Sequence, residues 1–448
     1  MSQRRFPAVS TFTLQGKILV LLLRGLVFPL GLLFGRRPLP NFEENPGTYT
    51  AKEILYFAYK YYLQPVEKAE NDALEAYFQH MSFSFPDTAE SSANITLSTG
   101  GDLMPYHWLT KESTRHLWDE IGSWYFDADL VYANLETPLH RKKELNAVPE
   151  VMLNNMHFNA NEELFHIFSG NGAFKGYDVL STANNHSFDM GKEGVQSTLE
   201  YLEEKGILPC GTARNALDQQ RPRVVERNGI RIAFVSFTFC LNHLNLPENE
   251  PWWVNVSQLN LPNADLSSLK DQIKNAKAVS DFVVLALHNG NAYQAYPSQH
   301  TVENVHRIFE ECGPDLILGS HPHNPQPLEQ YAFTCPFTGK RKSGIAVYSQ
   351  GDYIAYDIFT WCHLHLGLKF QLSRMGDEVK VTGMEVMPQY FWHGDAPSGF
   401  DFRLIPLAKC AEYESRMSDR SKKELAELQR FWDNFLAPSL SPYEWVAH

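Results

Sequence analysis

The stretch Gly319-Ser-His-Pro-His323 follows Asp315-Leu-Ile-Leu318, an apolar run with the length of a buried strand. The imidazoles of His321 and His323 therefore emerge together where this strand meets the surface. Neutral imidazoles placed two residues apart can hold one or two divalent metal ions from a single loop. Surface histidines in a polar turn would give the same short motif, so its meaning depends on what the other strands deliver.

Five other apolar runs end in polar clusters of the same kind. These are residues 95–99 before Asp102, 129–133 before Asn134-Leu-Glu136, 177–183 before Asn184-Asn-His186, 282–287 before His288, and 344–349 before Gly351-Asp352. Strands that are apolar on both faces are usually covered by helices, and ligands gather outside their carboxyl ends. A single cluster of this kind is typical of a turn or a helix cap. Six in series predict a multi-ligand metal centre assembled from distant segments.

Length and composition describe a folded, acidic protein. The chain has 448 residues, which favours one large catalytic domain with accessory segments, or two domains. A net charge of −13 argues against nucleic acid as a partner, because such proteins neutralise phosphates with Lys and Arg. The six cysteines form no Cys-x-x-Cys pair. This pattern excludes a zinc ribbon or a thioredoxin-like redox motif and leaves disulfides open.

The amino-terminal segment carries a membrane signal. Residues 18–35 form a Leu-rich stretch flanked by the basic residues Lys17 and Arg36. Arg24 lies within it, and an arginine at the centre of a spanning helix costs about 2.5–3.5 kcal/mol on insertion scales. No Ala-x-Ala cleavage site follows, which argues against a cleaved signal peptide. We expect an uncleaved anchor or an interfacial helix, with the side of the membrane left open; the alternative is a core helix of a cytoplasmic protein.

The pattern of apolar residues divides the chain into four parts. Residues 1–47 hold the expected anchor and a linker at 38–47, and residues 48–92 are expected to form a helical extension. Residues 93–390 alternate strands with helical stretches, which indicates an α/β domain. Residues 391–448 are expected to form a C-terminal helical tail. The tyrosines of the extension could offer an interfacial or sugar-stacking surface, although packing against the main domain is the ordinary role of such rings.

The polar clusters share their order and spacing with a known family. They comprise Gly101-Asp102, Asn134-Leu-Glu136, Ala183-Asn-Asn-His186 with Asp189-x-Gly191, His288-x-Gly290, Gly319-x-His321-Pro-His323 and Tyr348-Ser-x-Gly351. This series, over about residues 93–360, resembles the bacterial capsule-synthesis CapA family, which is associated with poly-γ-glutamate capsule. The resemblance implies the fold of the calcineurin-like metallophosphoesterase superfamily, an α-β-β-α sandwich, here with an N-terminal helical extension.

The resemblance also implies roles for individual residues. The metal ligands would be Asp102, Glu136, Asn185, His288, His321 and His323, holding two divalent ions of manganese, zinc or iron. His186 would protonate the leaving oxygen, and Asp189 could orient its ring or serve only as a helix N-cap. Asn184 and Asp352 are the candidates for substrate binding, and Asn184 could instead satisfy backbone groups in its turn.

Several positions depart from the family patterns. Leu103 and Met104 follow Asp102, whereas many metallophosphoesterases place a His two residues after this Asp, so one metal position loses a ligand. Glu136 stands where the superfamily uses a bridging Asp. His288-Asn-Gly290 replaces the His-Trp-Gly that is common in the capsule family. The candidate ligands are intact while their surroundings differ, which favours a divergent substrate over a dead site.

Two functions therefore stay open. The first is a metal-dependent hydrolase that cleaves a phosphoester, ester or amide in a cell-envelope polymer or a small ester. The second is a non-catalytic, membrane-associated accessory subunit of a capsule or poly-γ-glutamate synthesis or export machine, with the proteins of that machine as partners. Retention of the ligands favours the enzyme, whereas the missing Asp-x-His and the marginal anchor favour the accessory subunit. The sequence does not identify the substrate, because a fold specifies a scaffold and not a substrate.

Overall fold

The computed structural model of the chain describes residues 11–33, 49–88, 91–152, 157–397 and 399–440. The linker expected at 38–47 lies outside these ranges, as do the last two residues of the expected anchor. The described part contains an amino-terminal group of helices, two β-sheets and a carboxyl-terminal helical segment. All six cysteines are free and buried, so none forms the disulfide that the sequence left open.

Three helices precede the sheets: α1 (Leu14–Leu33) in the segment expected to hold the anchor, and α2 (Ala51–Tyr62) and α3 (Asp72–Gln79) in the segment expected to be a helical extension. A capping box begins α2, because the Thr50 hydroxyl accepts from the Glu53 N–H and the Glu53 carboxylate accepts from the Thr50 N–H. Helix α1 packs against α2, where the Arg24 Nε donates to the Tyr62 carbonyl oxygen at 2.9 Å. This bond satisfies a carbonyl at the end of α2 that has no partner within its own helix.

Two sheets make up the body of the fold. Their strands are β1 (Ala93–Leu103), β2 (Leu130–Leu135), β3 (Val179–Ser181), β4 (Leu208–Cys210), β5 (Arg223–Arg227), β6 (Ile230–Thr238), β7 (Phe282–His288), β8 (Leu316–Ser320), β9 (Pro325–Thr334), β10 (Arg341–Gln350), β11 (Asp352–Ile354), β12 (Leu364–Met375), β13 (Glu378–Ala396) and β14 (Gly399–Pro406). The first sheet has the order β14-β13-β12-β1-β2-β3-β4 with β11 beside β1, and the second has the order β5-β6-β7-β8-β10-β9. Strands β1 to β4 pair in parallel, as do β6, β7, β8 and β10, so within each set the carboxyl ends share one edge.

The two sheets pack against each other around a common hydrophobic core. Strands β2 and β7 are buried along their whole length, as expected for strands covered on both faces. Helices α4 (Gly122–Phe126), α5 (Glu162–Phe168), α6 (Gly191–Glu204), α7 (Ala216–Gln220), α8 (Ser267–Lys277) and α9 (Gln299–Cys312) connect the strands. Helices α4 and α6 contact the first sheet, and α8 and α9 contact the second. This layering confirms the expected α-β-β-α sandwich.

The first sheet extends beyond residue 390. Residues 391–396 belong to β13 and residues 399–406 to β14, so this part of the expected helical tail is strand. Its side chains Phe391, Phe402 and Leu404 are buried in the core, which ties these strands to the sheet. Helical structure begins at Leu407 and continues through α10 (Cys410–Tyr413), α11 (Asp419–Phe431) and α12 (Ala437–Leu440).

A buried ion pair fastens α11 to the body of the fold. The His363 Nδ1 lies 2.5 Å from Glu424 Oε1, and its Nε2 donates to the Asp357 carbonyl oxygen at 2.6 Å. Removing one member of a buried pair leaves the other uncompensated, so Glu424→Ala should lower the free energy of unfolding by about 3–5 kcal/mol. Urea unfolding measures this loss, and Lys422→Ala on the exposed face of α11 is the control.

The same pair predicts a pH dependence. Burial lowers the pKa of the His363 imidazole, but the Glu424 carboxylate outweighs it, and the pKa is raised above 6.5. A raised pKa gives stability that is complete below the unfolded value of about 6.5 and is lost as pH rises through the folded value. The stability difference between wild type and Glu424→Ala should therefore be largest near about pH 6 and shrink in alkali. A difference that is no larger than the Lys422→Ala control at every pH would contradict this account.

Candidate metal centre

The register of the first sheet places several polar side chains side by side. Asp102, near the end of β1, is paired with Asn134 of β2 on one side and with Asp352 of β11 on the other. The backbones approach so closely here that a Cβ atom at Gly101 would lie 1.8 Å from the Gly351 carbonyl oxygen. Only glycine permits this approach. The three strands thus bring two carboxylates and an amide to one edge of the sheet.

The second sheet delivers its imidazoles to the same place. His288 ends β7 and lies opposite Ser320, the last residue of β8, in the register of the parallel pair. The His288 ring lies 5.1 Å from the His321 ring, and the backbone N–H of His321 donates to Asp102 Oδ2 at 3.3 Å. His321 and His323 both have positive φ, at 98° and 62°, a conformation that costs a non-glycine residue about 1–3 kcal/mol. The loop therefore holds both rings in a fixed, strained arrangement.

Two groups of potential metal ligands share Asp102. In the first, one ligand atom each of Asp102, Glu136 and His288 lies within 4.8 Å of the others. In the second, Asp102 is joined by His323 and Asp352 with the same spacing. His288 Nε2 lies 3.6 Å from Glu136 Oε1, a separation that suits two ligands of a common ion. A carboxylate shared between two such groups is the arrangement that a pair of bridged metal ions requires.

The buried oxygens of these groups fit a cation. Both carboxylate oxygens of Glu136 and the Oδ2 of Asp352 are buried, and none of them has a hydrogen-bond partner within the described ranges. A buried carboxylate without a partner is costly, so such groups are normally paired or bind metals. The ligand atoms are oxygen and imidazole nitrogen without thiolate, a set that suits manganese, zinc or iron.

The pKa values of the buried carboxyl groups and of His288 also fit a bound cation. Burial, reinforced by the neighbouring Asp102 carboxylate, raises the pKa of Glu136 well above its usual range. Burial also raises the pKa of Asp352 to about 7, against the opposing effect of His323. Burial and then His321 lower the pKa of His288 well below 6.5, so its ring is neutral and keeps a lone pair for a ligand bond. Negative charge is thus destabilised in this cavity until a cation compensates it.

Asn185 and His186 follow β3 in the chain, and Asn185 lies beside His288. The Asn185 Oδ1 lies 2.8 Å from His288 Nε2, so a hydrogen bond places the amide beside the first ligand group. The His186 Nδ1 bonds to Asp189 Oδ2 at 2.7 Å, and the Phe158 ring stacks on the imidazole with a centroid distance of 4.0 Å. Helix α6 is capped by Met190 without a side-chain bond, so Asp189 is in the orienting position and not at the N-cap.

Asn184 and Asp352, the candidates for substrate binding, both make hydrogen bonds within the protein. Asn184 Nδ2 donates to the Leu135 carbonyl oxygen at 2.8 Å, and its Oδ1 accepts from the His186 N–H at 3.2 Å. Its amide therefore satisfies one backbone group at the end of β2 and one in its own turn. Asp352 accepts from His323 Nδ1 at 2.9 Å inside the second ligand group.

Two further residues support the centre and had no predicted role. Asn134 Nδ2 donates to Asp102 Oδ1 at 2.7 Å, and Ser320 Oγ lies 2.8 Å from His288 Nδ1. Such outer partners fix the orientation of metal ligands. Their positions at the ends of β2 and β8 were visible in the sequence. The strand register that brings Asn134 to Asp102 and Ser320 to His288 could not be read from the sequence.

A second cluster of ligand-type side chains, His363, His393 and Glu424, has a different character. The 2.5 Å between His363 Nδ1 and Glu424 Oε1 is a direct hydrogen bond. Two ligands of one ion, each about 2.0–2.2 Å from it, stand farther apart than this. We therefore interpret this cluster as an ion pair, whereas His288 Nε2 and Glu136 Oε1 in the first group around Asp102 stand 3.6 Å apart.

Comparisons with known proteins bear on the same segment. The family model described as bacterial capsule synthesis protein PGA_cap matches residues 96–357. The capsule biosynthesis protein CapA of Bacillus anthracis is 25% identical over 277 residues, which cover 60% of this chain and 62% of that protein. The PGA biosynthesis protein CapA of Bacillus subtilis is 24% identical over 299 residues, covering 65% and 72%. The chain thus spans about three fifths of the length of the first relative.

Among solved structures, the calcineurin-like phosphoesterase YfkN from Bacillus subtilis aligns with a TM-score of 0.35 and 12% identity, covering 75% of this chain and 99% of that chain. The segment matched by the family model contains all of the candidate ligands. Helices α1 to α3 precede that segment, and strands β12 to β14 follow it.

Replacement of Glu136 should have opposite effects on the stability of the metal-free and the metal-bound protein. Without metal, Glu136→Gln should raise the free energy of unfolding by about 1–3 kcal/mol, because it removes an uncompensated buried carboxylate. With metal, the same change should weaken binding, because a ligand charge is lost. Thermal unfolding with and without divalent metal measures both effects, and Glu412→Gln, on the surface, is the control. A metal-free Glu136→Gln protein that is less stable than wild type would refute the fit of a cation here.

Proposed function

The chain belongs to the family of bacterial capsule synthesis proteins, and we propose that it is a metal-dependent hydrolase within that family. Its substrate would be a phosphoester, ester or amide bond in a capsule or poly-γ-glutamate polymer, or a small ester. The observation that carries this proposal is the pair of buried ligand groups that share Asp102. A site of that kind supports hydrolysis at a position where strand ends open to substrate.

The ligand set that we propose consists of Asp102, Glu136, Asn185, His288, His321 and His323, together with Asp352, which the fold adds to the second group. Metal ions held there would activate water and polarise the oxygens of the scissile group. The chain itself must bind the substrate, exclude bulk water and supply a proton to the leaving oxygen. The burial of Asp102, Glu136 and His288 provides a dry interior for this chemistry.

His186 is the residue that we assign to proton transfer. Its Nδ1 is held by the Asp189 carboxylate, and its face is covered by Phe158, so the ring has one orientation. The Phe158 N–H also donates to Asp189 Oδ2 at 2.6 Å, which fixes the carboxylate in turn. The remaining nitrogen, Nε2, is then the atom that gives its proton to the leaving oxygen.

The alternative is a non-catalytic, membrane-associated accessory subunit that binds capsule polymer and the proteins of its synthesis or export machine. One observation favours it. Met104 occupies the position where many metallophosphoesterases have a ligand His, and it is buried against Val148, Phe158 and Ala355. This position therefore supports the Phe158 ring instead of binding an ion. The relatives bear names of biosynthesis proteins, which is compatible with either function.

We also propose that α1 tethers the protein to a membrane surface. Leu14–Gly31 is the one helical segment in the described ranges that is long and apolar enough to cross a membrane, with a mean hydropathy of 1.5. Val20 and Val27 are buried, whereas Leu14, Leu21, Leu22 and Leu26 are each more than 60% exposed. Arg24 is bonded to the end of α2, so its charge is turned toward the protein. This disposition favours a helix lying in the interface, with its leucine face in the lipid.

The proton-transfer role can be separated from metal binding. His186→Ala should keep its metal and lose about 10²- to 10⁴-fold in turnover, the usual contribution of a general acid. His321→Ala should lose metal instead, and His166→Ala, at an exposed position of α5 outside the site, is the matched control. Elemental analysis and a screen of phosphoesters and γ-glutamyl amides measure the two effects. Equal loss of metal in both site variants would show that His186 is a ligand or a structural residue.

The membrane assignment has its own test. Deletion of residues 1–40 should give a protein that keeps its fold and its metal, because the candidate ligands lie in the body of the sandwich. The full chain should float with vesicles of anionic lipid, and the deleted chain should not. Leu21→Ser with Leu22→Ser should weaken flotation, whereas Val279→Ser, at an exposed apolar residue elsewhere, should not. An unfolded deletion variant, with a full chain that stays soluble without detergent, would identify α1 as a core helix.

A further inference from the structure

Helix α2 precedes the segment matched by the family model, yet its aromatic side chains reach the candidate metal centre. The Tyr61 hydroxyl donates to Asp357 Oδ1, and the Tyr293 hydroxyl donates to Asp357 Oδ2 at 2.9 Å. The Tyr293 ring stacks on the His323 imidazole, with centroids 5.5 Å apart and planes 21° from parallel. His323 in turn bonds Asp352. A continuous series of contacts therefore runs from α2 to the second ligand group.

The Tyr293 ring is held on several sides by aromatic residues. Phe57 and Tyr61 of α2 meet it edge-on, with centroid distances of 5.5 Å and 4.8 Å, and Phe359 meets it at 5.5 Å. Such edge-to-face pairs contribute about 0.5–1.5 kcal/mol each beyond their buried area. Tyr293 also has a positive φ of 59°, which is costly for an aromatic residue. Packing from α2 thus helps to hold a strained residue whose ring supports a candidate ligand.

Asp357 is the junction of this series. It is buried and accepts three hydrogen bonds, from the two tyrosine hydroxyls and from the Phe359 N–H at 2.7 Å. Burial, followed by the Asp357 carboxylate, raises the pKa of both Tyr61 and Tyr293 well above 10, so both phenols stay protonated and donate. Hydrogen bonds to a buried charged group are stronger than neutral ones. Loss of the Tyr61 hydroxyl would therefore remove one hydrogen bond that fixes the Asp357 carboxylate. Because Asp357 also bonds the Tyr293 hydroxyl, Tyr293 would be held less firmly.

We propose that α2 is a positioning element of the candidate metal centre, in which Tyr61 acts through Asp357 and Tyr293 to orient the His323 ring. This inference rests on the proposed metal-dependent function. It gives the tyrosine-rich helix a role beyond packing and unlike a sugar-stacking surface, because Tyr61 is directed into the protein and not toward a ligand. Partners that bond a metal ligand directly typically change metal affinity about 10- to 100-fold when removed, and Tyr61, which acts through Asp357 and Tyr293, should have an effect at or below the lower end of this range.

The test is a titration of the full chain with Mn²⁺ after treatment with a chelator, followed by electron paramagnetic resonance. Tyr61→Phe removes one hydroxyl and keeps the ring, and it should weaken Mn²⁺ binding relative to Tyr59→Phe, by up to about 10-fold, and change the signal of the bound ion. Tyr59→Phe is the matched control on the same helix. Within the described part of the chain, the Tyr59 hydroxyl donates to the exposed Gln64 side chain at 3.0 Å and to no residue of the site. Both variants should melt at the wild-type temperature within about 4 °C, which separates positioning from loss of fold.

A double variant tests the route. If Tyr61 acts through Asp357, then Tyr61→Phe combined with Asp357→Asn should bind Mn²⁺ no more weakly than Asp357→Asn alone. Losses that add would overturn this route. If Tyr61→Phe fails to fold, Phe57→Leu is the second variant, because it removes one ring contact of Tyr293 and keeps the hydrogen bonds of Tyr61, Tyr293 and Asp357. Wild-type affinity for Mn²⁺ in Phe57→Leu would overturn the inference.

The two proposals fail in different ways. A wild-type chain that binds no Mn²⁺ or other divalent metal overturns the proposed function and this inference with it. A wild-type chain that binds Mn²⁺, with equal affinities and signals for Tyr61→Phe and Tyr59→Phe, overturns the positioning role alone.

Discussion

Three carboxylates, those of Asp102, Glu136 and Asp352, are buried together at one edge of two sheets, and this accumulation of negative charge constrains the whole site. Burial raises the pKa of each of them, because a charged carboxylate loses its hydration inside the protein. The hydrogen bond from Asn134 and the ion pair with His323 offset part of that cost. The oxygens of Glu136 receive no comparable help from the described part of the chain. A bound cation would stabilise them in their charged form, whereas without one the raised pKa favours protonation.

The scaffold is arranged around that requirement. Parallel strands in both sheets end at the same edge, and the missing side chain of Gly101 lets β1 and β11 approach closely enough to pair Asp102 with Asp352. His321 and His323 adopt left-handed backbone conformations that a relaxed loop would avoid. The His363–Glu424 pair shows what the same residue types do elsewhere in the fold. There, direct contact compensates the charge and fastens a helix.

Much of the site could be predicted from the sequence, because its ligands follow apolar runs whose burial is a local property. His288 after residues 282–287 and His321 after residues 315–318 are examples. Contributions that depend on register could not be predicted, since the pairing of Asp102 with Asn134 and Asp352 is set by the alignment of distant strands. The contact of Tyr61 was even harder to predict from the sequence, because Tyr61 and its partner Asp357 are 296 positions apart in the chain. The strands at 391–406 were missed because their pairing with β12 and with each other, rather than a local signal, defines them.

The central claim is that the two groups of potential ligands that share Asp102 form a metal centre. Elemental analysis of the full chain, purified without added metal and again after reconstitution with Mn²⁺, Zn²⁺ or Fe²⁺, tests this claim most directly. The account predicts divalent metal bound in stoichiometric amounts, approaching two ions per chain as the two ligand groups imply, and lost when Asp102 is changed to Ala. A chain that stays free of divalent metal after reconstitution, or that keeps its metal in the Asp102→Ala variant, would contradict it.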